Sequence, residues 1–199
     1  MLARPTKTPK NLVIDNGEIK VGMISCCHLG SRYQQIQHLH DFYSKCKTKK
    51  VHCVLMMGDV VDGAVHMHKD SVHEMFLHTY EDQRDYTIEN YPNMGFPTYI
   101  ISGNHCLSHL KDGSGNIVRD ICKNREDLIY VGDYSGYIKI GRLRFMMIHG
   151  RGGNAYACSY KLQRLIESLS SENKPHILGM GHYHRAFQML YRNVYALEV

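Results

Sequence analysis

At 199 residues the chain has room for one domain with a full core and too little for two ordinary ones. Its composition is globular, 43% hydrophobic and 22% charged, and no apolar run approaches the roughly 18–20 residues of a membrane span. The N-terminus lacks the charged-then-apolar build of a secretory signal. A formal charge of +5 and a pI of 8.8 suit an anionic substrate but fall short of the basic balance that announces nucleic acid by itself. Seven cysteines, odd in number and irregularly spaced, do not form a disulfide framework, so a reduced cytoplasmic compartment is expected.

Residues 1–18, with Pro5, Pro9 and several lysines, read as a flexible lead-in, and 19–199 as a single domain that flanking domains in a longer parent chain could accompany. From Glu18 onward, short apolar runs alternate with helical segments, the signature of an α/β sheet. Ile19 to Ser25 forms the first expected strand. Ser31 then caps a helix on which Ile36, Leu39, Phe42, Tyr43 and Cys46 share a face. Val51 to Met57 is a continuous apolar strand of central type. A long helix is expected from about Ser71 to Asn90, then a strand over Phe96 to Ile101 and a short helix started by Ser114 or Asn116. After Leu128–Val131, two strands (Tyr134–Ile140 and Leu143–Ile148) meet at Gly141 as a hairpin, which adds antiparallel strands to a parallel sheet. Leu162, Leu165, Ile166 and Leu169 mark an amphipathic helix. His176–Met180 is a strand, and a closing hairpin turns at Arg192-Asn193.

The chemistry lies at the strand ends. They carry Cys26-Cys27-His28, Gly58-Asp59-Val60-Val61-Asp62, Gly103-Asn104-His105-Cys106, His149-Gly150 and Gly181-His182-Tyr183-His184. In open α/β sheets the carboxyl ends of strands collect on one edge, and ligands bind there. Glycines before the polar clusters permit tight turns and close backbone approach. His28, Asp59, Asn104, His149, His182 and His184, with Cys26 in addition, exceed the four donors of a structural zinc. Six or seven mixed donors suit two ions about 3.5–4 Å apart, with Asp59 as the natural bridge. Imidazole and carboxylate favour Zn, Fe or Mn without choosing among them.

These motifs, in this order, resemble the calcineurin-like metallophosphoesterase family, whose pattern is Asp-x-His, Gly-Asp-x-x-Asp, Gly-Asn-His-Asp/Glu, His and Gly-His-x-His. The resemblance runs from Glu18 to Val199, and Ile24 to Ser31 is similar to the opening motif of the nuclease-type branch and the DNA-polymerase small subunits. It implies a four-layer α/β/β/α sandwich with mixed sheets and a two-metal phosphoesterase acting on phosphodiesters, nucleic acid or nucleotide. His28, Asp59, His184 and position 26 would hold the first ion. Asp59, Asn104, His149 and His182 would hold the second. A hydroxide between the ions would attack phosphorus in line, and His105 would stabilise the phosphoryl oxygens or protonate the leaving alkoxide.

Two positions depart from the family pattern: Cys26 stands where it has Asp, and Cys106 where it has an acid. A Cys26 thiolate favours zinc or iron over manganese. If Cys26 stays a thiol, the first ion has only three protein ligands; Cys106 is expected to deprive His105 of an orienting carboxylate, and the two changes together are expected to leave a recognisable but impaired site. A non-catalytic metal-binding scaffold of the same fold, and a phosphomonoesterase, are the alternatives. Asp62 is expected to bond its own loop, and His66, His68, His73 and His78 to be solvated. Cys46, Cys53, Cys122 and Cys158 are expected to be plain core or surface residues, and Cys26-Cys27 not to form a redox pair. Arg151 and Asn154, in a loop preceding a helix, are candidates to hold a substrate phosphate.

Overall fold

The structure, a computed structural model, describes residues 10–12 and 17–199. In chain order its first elements are β1 (Lys10–Leu12), β2 (Val21–Ile24), α1 (Ile36–Thr48), β3 (Cys53–Met56), α2 (Tyr80–Asn90), β4 (Thr98–Ile101), α3 (Gly103–Cys106) and α4 (Ile117–Lys123). They continue as β5 (Leu128–Gly132), β6 (Ser135–Ile140), β7 (Leu143–His149), α5 (Ser159–Ser168), β8 (Ile177–Gly181), β9 (Phe187–Tyr191) and β10 (Val194–Glu198). One sheet, β2-β3-β4-β5, is wholly parallel; the other, β1-β6-β7-β8-β10-β9, is mixed.

Period-two alternation assigns each strand's side chains to two different layers. On β3, Val54 and Met56 join Leu39, Tyr43 and Cys46 of α1 and Ile117, Val118 and Ile121 of α4. Cys53 and Leu55 turn the other way, with Met57 just beyond them, into a core shared with Ile138, Ile140, Phe145 and Met147 of the second sheet. On β7, Met146 and Ile148 meet Leu162, Leu165 and Ile166 of α5. The result is the expected α/β/β/α sandwich. All of β3 is buried, as its unbroken apolar run requires.

Three local expectations change. Ser31 does not cap α1, which starts five residues later behind Gln35; Ser31 instead bridges to Met75, and its Oγ accepts from Tyr33 N at 3.3 Å. The long helix over 71–90 is broken, because fully buried Met75 takes extended backbone to reach the core and make that bridge. Helix α2 restarts behind Thr79, whose side chain accepts from Asp82 N at 3.1 Å. Within the stretch read as a lead-in, β1 pairs with β6; residues 1–9 and 13–16 of that stretch lie outside the described residues. Asn116 caps α4 as expected, and Arg192 and Asn193, both left-handed, make the two-residue turn between β9 and β10.

The registers align the functional ends. Ile24 pairs with Met56 and Met56 with Ile100, while His149 pairs with Gly181. The carboxyl ends of β2, β3 and β4 therefore face those of β7 and β8 across the sheet-to-sheet core.

Candidate metal centre

Backbone hydrogen bonds carry the ladder past the strands and into the loops. Cys26 N donates to Gly58 O at 2.9 Å, His28 N to Asp59 O at 3.1 Å, and Asp59 N to Ser102 O at 2.7 Å. The loops are strained where the polar side chains emerge. Cys26, His28, Asp59, His182 and His184 have φ of 54°, 45°, 55°, 97° and 50°, a left-handed conformation that costs a non-glycine residue roughly 1–2 kcal/mol. Concentrated strain of this kind marks a functional site. Glycine is required where the loops touch: a Cβ on Gly58 would lie 2.6 Å from His149 Nδ1, and one on Gly103 would strike the Asp59 carboxylate and lie 2.7 Å from its amide nitrogen.

One donor group centres on His149, which is fully buried. Its Nδ1 lies 2.8 Å from Met57 O. A carbonyl only accepts, so Nδ1 carries the hydrogen and Nε2 is the atom turned to the site. That Nε2 is 2.9 Å from Asp59 Oδ2 and 3.0 Å from Asn104 Oδ1. A carboxylate oxygen and an amide oxygen thus both lie within 3.0 Å of one imidazole nitrogen. The donor set of imidazole nitrogen, carboxylate oxygen and amide oxygen is that of a divalent-ion site. Burial opposes charge on Asp59, yet neighbouring His149, with His105 and His28, keeps its carboxyl below the usual carboxylate range. Its second oxygen, Oδ1, accepts from His105 N at 2.9 Å.

A second group shares Cys26. The ligand atoms of Cys26, His28 and His184 lie within 4.8 Å of one another, as do those of Cys26, Asp59 and His149 and those of His28, Asp59 and His105. His28 Nδ1 lies 3.3 Å from Asp62 Oδ1, while its Nε2 is buried without a hydrogen-bond partner. A carboxylate behind one ring nitrogen and an orphan at the other is how a metal-ligating histidine is oriented. Burial works against an imidazolium at His28, but Asp62, Cys26 and Asp59 outweigh it and raise its pKa to about 10. Burial lowers the pKa of both His182 and His184, which keeps their lone pairs available. The residues present fit divalent ions.

The calcineurin-like phosphoesterase superfamily domain matches residues 19–197 of the chain. The chain belongs to that family. No curated protein matches it. Among solved structures it is similar to an archaeal phosphodiesterase, 15% identical, over 90% of this chain and 82% of that one, with a TM-score of 0.56. It is also similar to a zinc complex of Vps29 from Entamoeba histolytica, 16% identical over 89% and 72% of the two chains, with a TM-score of 0.45. At 15% identity the likeness to the archaeal phosphodiesterase speaks for the fold alone.

For a calcineurin-like phosphoesterase, the surroundings of His105 differ from the sequence expectation. Its Nδ1 donates to Asp62 O at 2.6 Å, so the backbone orients the ring and Nε2 is left for the site. Cys106 does not face His105. Its side chain is fully buried in the helix-side core, against the backbone of Val60 and Val61, and burial pushes its thiol pKa well above the ordinary range. The expected loss of orientation through Cys106 is therefore not what the packing produces. Burial lowers the His105 pKa. Cys27 is likewise inert, its thiol raised to about 12 by burial.

His68, expected to be solvated, belongs to this neighbourhood. Its Nε2 donates to Asp62 O at 3.0 Å and lies 3.6 Å from the Asp62 carboxylate, with its ring 5.7 Å from that of His105. The only sequence signal was its spacing of six from Asp62, and a turn folds it back. Asp62 does bond its own loop, through its N–H to Leu29 O, while its carboxylate serves His28.

Arg151 and Asn154 lie exposed in the loop after β7, and α5 begins only at Ser159, so no helix N-terminus backs them. The Arg151 guanidinium stacks 3.8 Å above the Tyr134 ring. The same loop is tied to the site: His182 Nε2 donates to Gly152 O at 3.0 Å, and Tyr183 OH donates to Arg151 O at 2.9 Å. Arg185 stands over Tyr183 and pairs with Glu198, whose side chain is 1% exposed. A buried clamp from β10 thereby anchors Arg185, the residue that follows the Gly181–His184 turn.

Proposed function

We propose that the chain is a two-metal phosphodiesterase whose substrates are nucleotidic, nucleic acid or smaller diesters. The observation that carries this is the approach of Asp59 Oδ2 and Asn104 Oδ1 to within 3.0 Å of His149 Nε2, together with the orphan Nε2 of His28. Cys26, His28, Asp59 and His184 would hold one ion, and Asp59, Asn104, His149 and His182 the other, drawn from Zn, Fe or Mn. Bound there, the ions supply a nucleophilic water of lowered pKa and neutralise charge on the phosphoryl oxygens. His105, fixed through Nδ1, presents Nε2 as the proton donor to the departing alkoxide, and its lowered pKa makes its imidazolium a readier acid. Arg151 and Asn154 at the rim serve the substrate phosphate.

One catalytic domain over 19–199, able to stand beside flanking domains, is the organisation we favour. Among the described residues no helix is long and apolar enough to cross a membrane, and all seven cysteines are free, which supports a cytoplasmic setting. Protein loaded with Mn or Zn should hydrolyse an aryl phosphodiester and carry two ions by elemental analysis, and Asp59→Asn should lose both properties. Equal turnover in the two proteins would sink the assignment; zero or one ion with no turnover would favour the scaffold alternative.

A further inference from the structure

A cleft of about 530 Å³ opens beside His28, His105 and His184, within the range of about 300–1,000 Å³ typical of small-ligand sites. Its inner wall is apolar, from Ile24, Leu29 and Leu39, and its mouth carries Tyr33, Gln35 and His38. Tyr33 leaves 68% of its surface exposed, yet its backbone is pinned. Its N–H donates to Ser31 Oγ at 3.3 Å, and its carbonyl accepts from Gln35 Nε2 at 3.1 Å. The next residue, Gln34, is locked on both sides, accepting from Gly30 N at 3.1 Å and donating to Tyr86 OH at 2.6 Å. The exposed ring at the cleft mouth offers a stacking face on a turn whose backbone ordering cost is already met.

We propose that this cleft binds the planar base of a nucleoside leaving group, stacked on Tyr33 with its edge toward Gln35 Oε1 and the His38 imidazole. The proposal rests on the phosphodiesterase reading above and deepens it. A sugar or small polyol would gain nothing from the apolar wall, and an acyl chain nothing from Gln35 and His38; a base uses both. The placement also fits the chemistry. Water oxygen bonds to phosphorus, the bond from phosphorus to the nucleoside oxygen breaks, and that alkoxide takes its proton from His105 Nε2, while the proton shed by the water passes to solvent and His105 is reprotonated from solvent. Because His105 lines the cleft, the departing nucleoside already lies there.

The test compares a dinucleoside monophosphate with a ring-free glycerol phosphodiester on the metal-loaded protein. Loss of one base stack is expected to raise KM about tenfold in Tyr33→Ala on the first substrate, with kcat held, while Tyr33→Phe behaves as wild type and the glycerol diester is unaffected. The same change on both substrates, or none on either, overturns the proposal. If the wild type hydrolyses neither, the phosphodiesterase reading has failed, and binding of adenosine by saturation-transfer NMR decides the cleft. Binding by wild type and Tyr33→Phe that is weakened about tenfold in Tyr33→Ala supports it; no binding by wild type overturns it.

Discussion

His149 Nδ1 is bound to the carbonyl of Met57 at 2.8 Å, and this one contact sets the sense of the whole centre. It joins the end of β7 to the end of β3 across the two sheets, and it commits the other ring nitrogen to Asp59 and Asn104. A residue able to donate to Met57 but without a second nitrogen lone pair cannot replace it.

For that reason His149→Asn is expected to bind metal far more weakly than wild type while keeping the fold. Second-shell losses alone cost about 10–100-fold in affinity, and this change removes a donor as well. Metal titration by calorimetry, with circular dichroism as the fold control, checks it; unchanged affinity would remove His149 from the ligand set.

Asp62→Asn separates support from ligation. Asp62 reaches the site through His28 Nδ1 at 3.3 Å, so the amide should weaken metal binding by about 10–100-fold without changing the number of ions at saturation. Loss of a full equivalent would instead make Asp62 a ligand.

On the proposed ligand set, Cys26 is the residue expected to bias the choice of metal. As a thiolate within 4.8 Å of the donors of both groups, it should make the purified protein richer in zinc or iron than in manganese, and Cys26→Asp should reverse the order. Competition dialysis against equal Mn and Zn measures this. An unchanged ratio would show that the thiol stays out of the coordination sphere.

The metal-free protein should lose stability in alkali. His28 rises from 6.5 to about 10 on folding. Below pH 6.5 both folded and unfolded chains hold the proton and the stabilisation is complete; between 6.5 and 10 only the folded chain holds it, so stability falls as pH rises through that window. The size is on the order of a few kcal/mol. Denaturant midpoints at pH 7 and pH 9.5 in the presence of a chelator should differ in this sense, His28→Gln should flatten the difference, and saturating zinc should reduce it by taking the proton's place.

Much of this was legible in the sequence, because strand-end motifs report directly on a rim that parallel register brings together. Gly58 before Asp59 and Gly103 before Asn104 carried the signal twice, as turn residues and as the only residues slim enough for the approach of His149 and Asp59. What stayed hidden depended on where a chain folds back. Met75 belongs to a helical pattern by spacing, but its burial breaks the helix before Thr79. His68 looks like one of several loop histidines until a turn lays it against Asp62. Cys106 was misread because sequence adjacency to His105 implied contact, whereas successive residues on α3 point in different directions, one to the site and one to the core. The mixed second sheet was anticipated only through its hairpins; the insertion of β8 between β7 and β10 has no local signal.

The clamp between Arg185 and Glu198 has a consequence for how the protein is made. The donors run from Cys26 to His184, and the turn bearing the last two is held from β10, so a growing chain has almost all of its core before it has a finished centre. Until β10 has paired with β8, His182 and His184 lack their anchor, while Cys26, His28 and Asp59 stand as a partial chelate. Contacts of such long sequence separation form late and slowly. Before that pairing the interior of the sheets is packed while the turn that carries His182 and His184 is not yet held from β10.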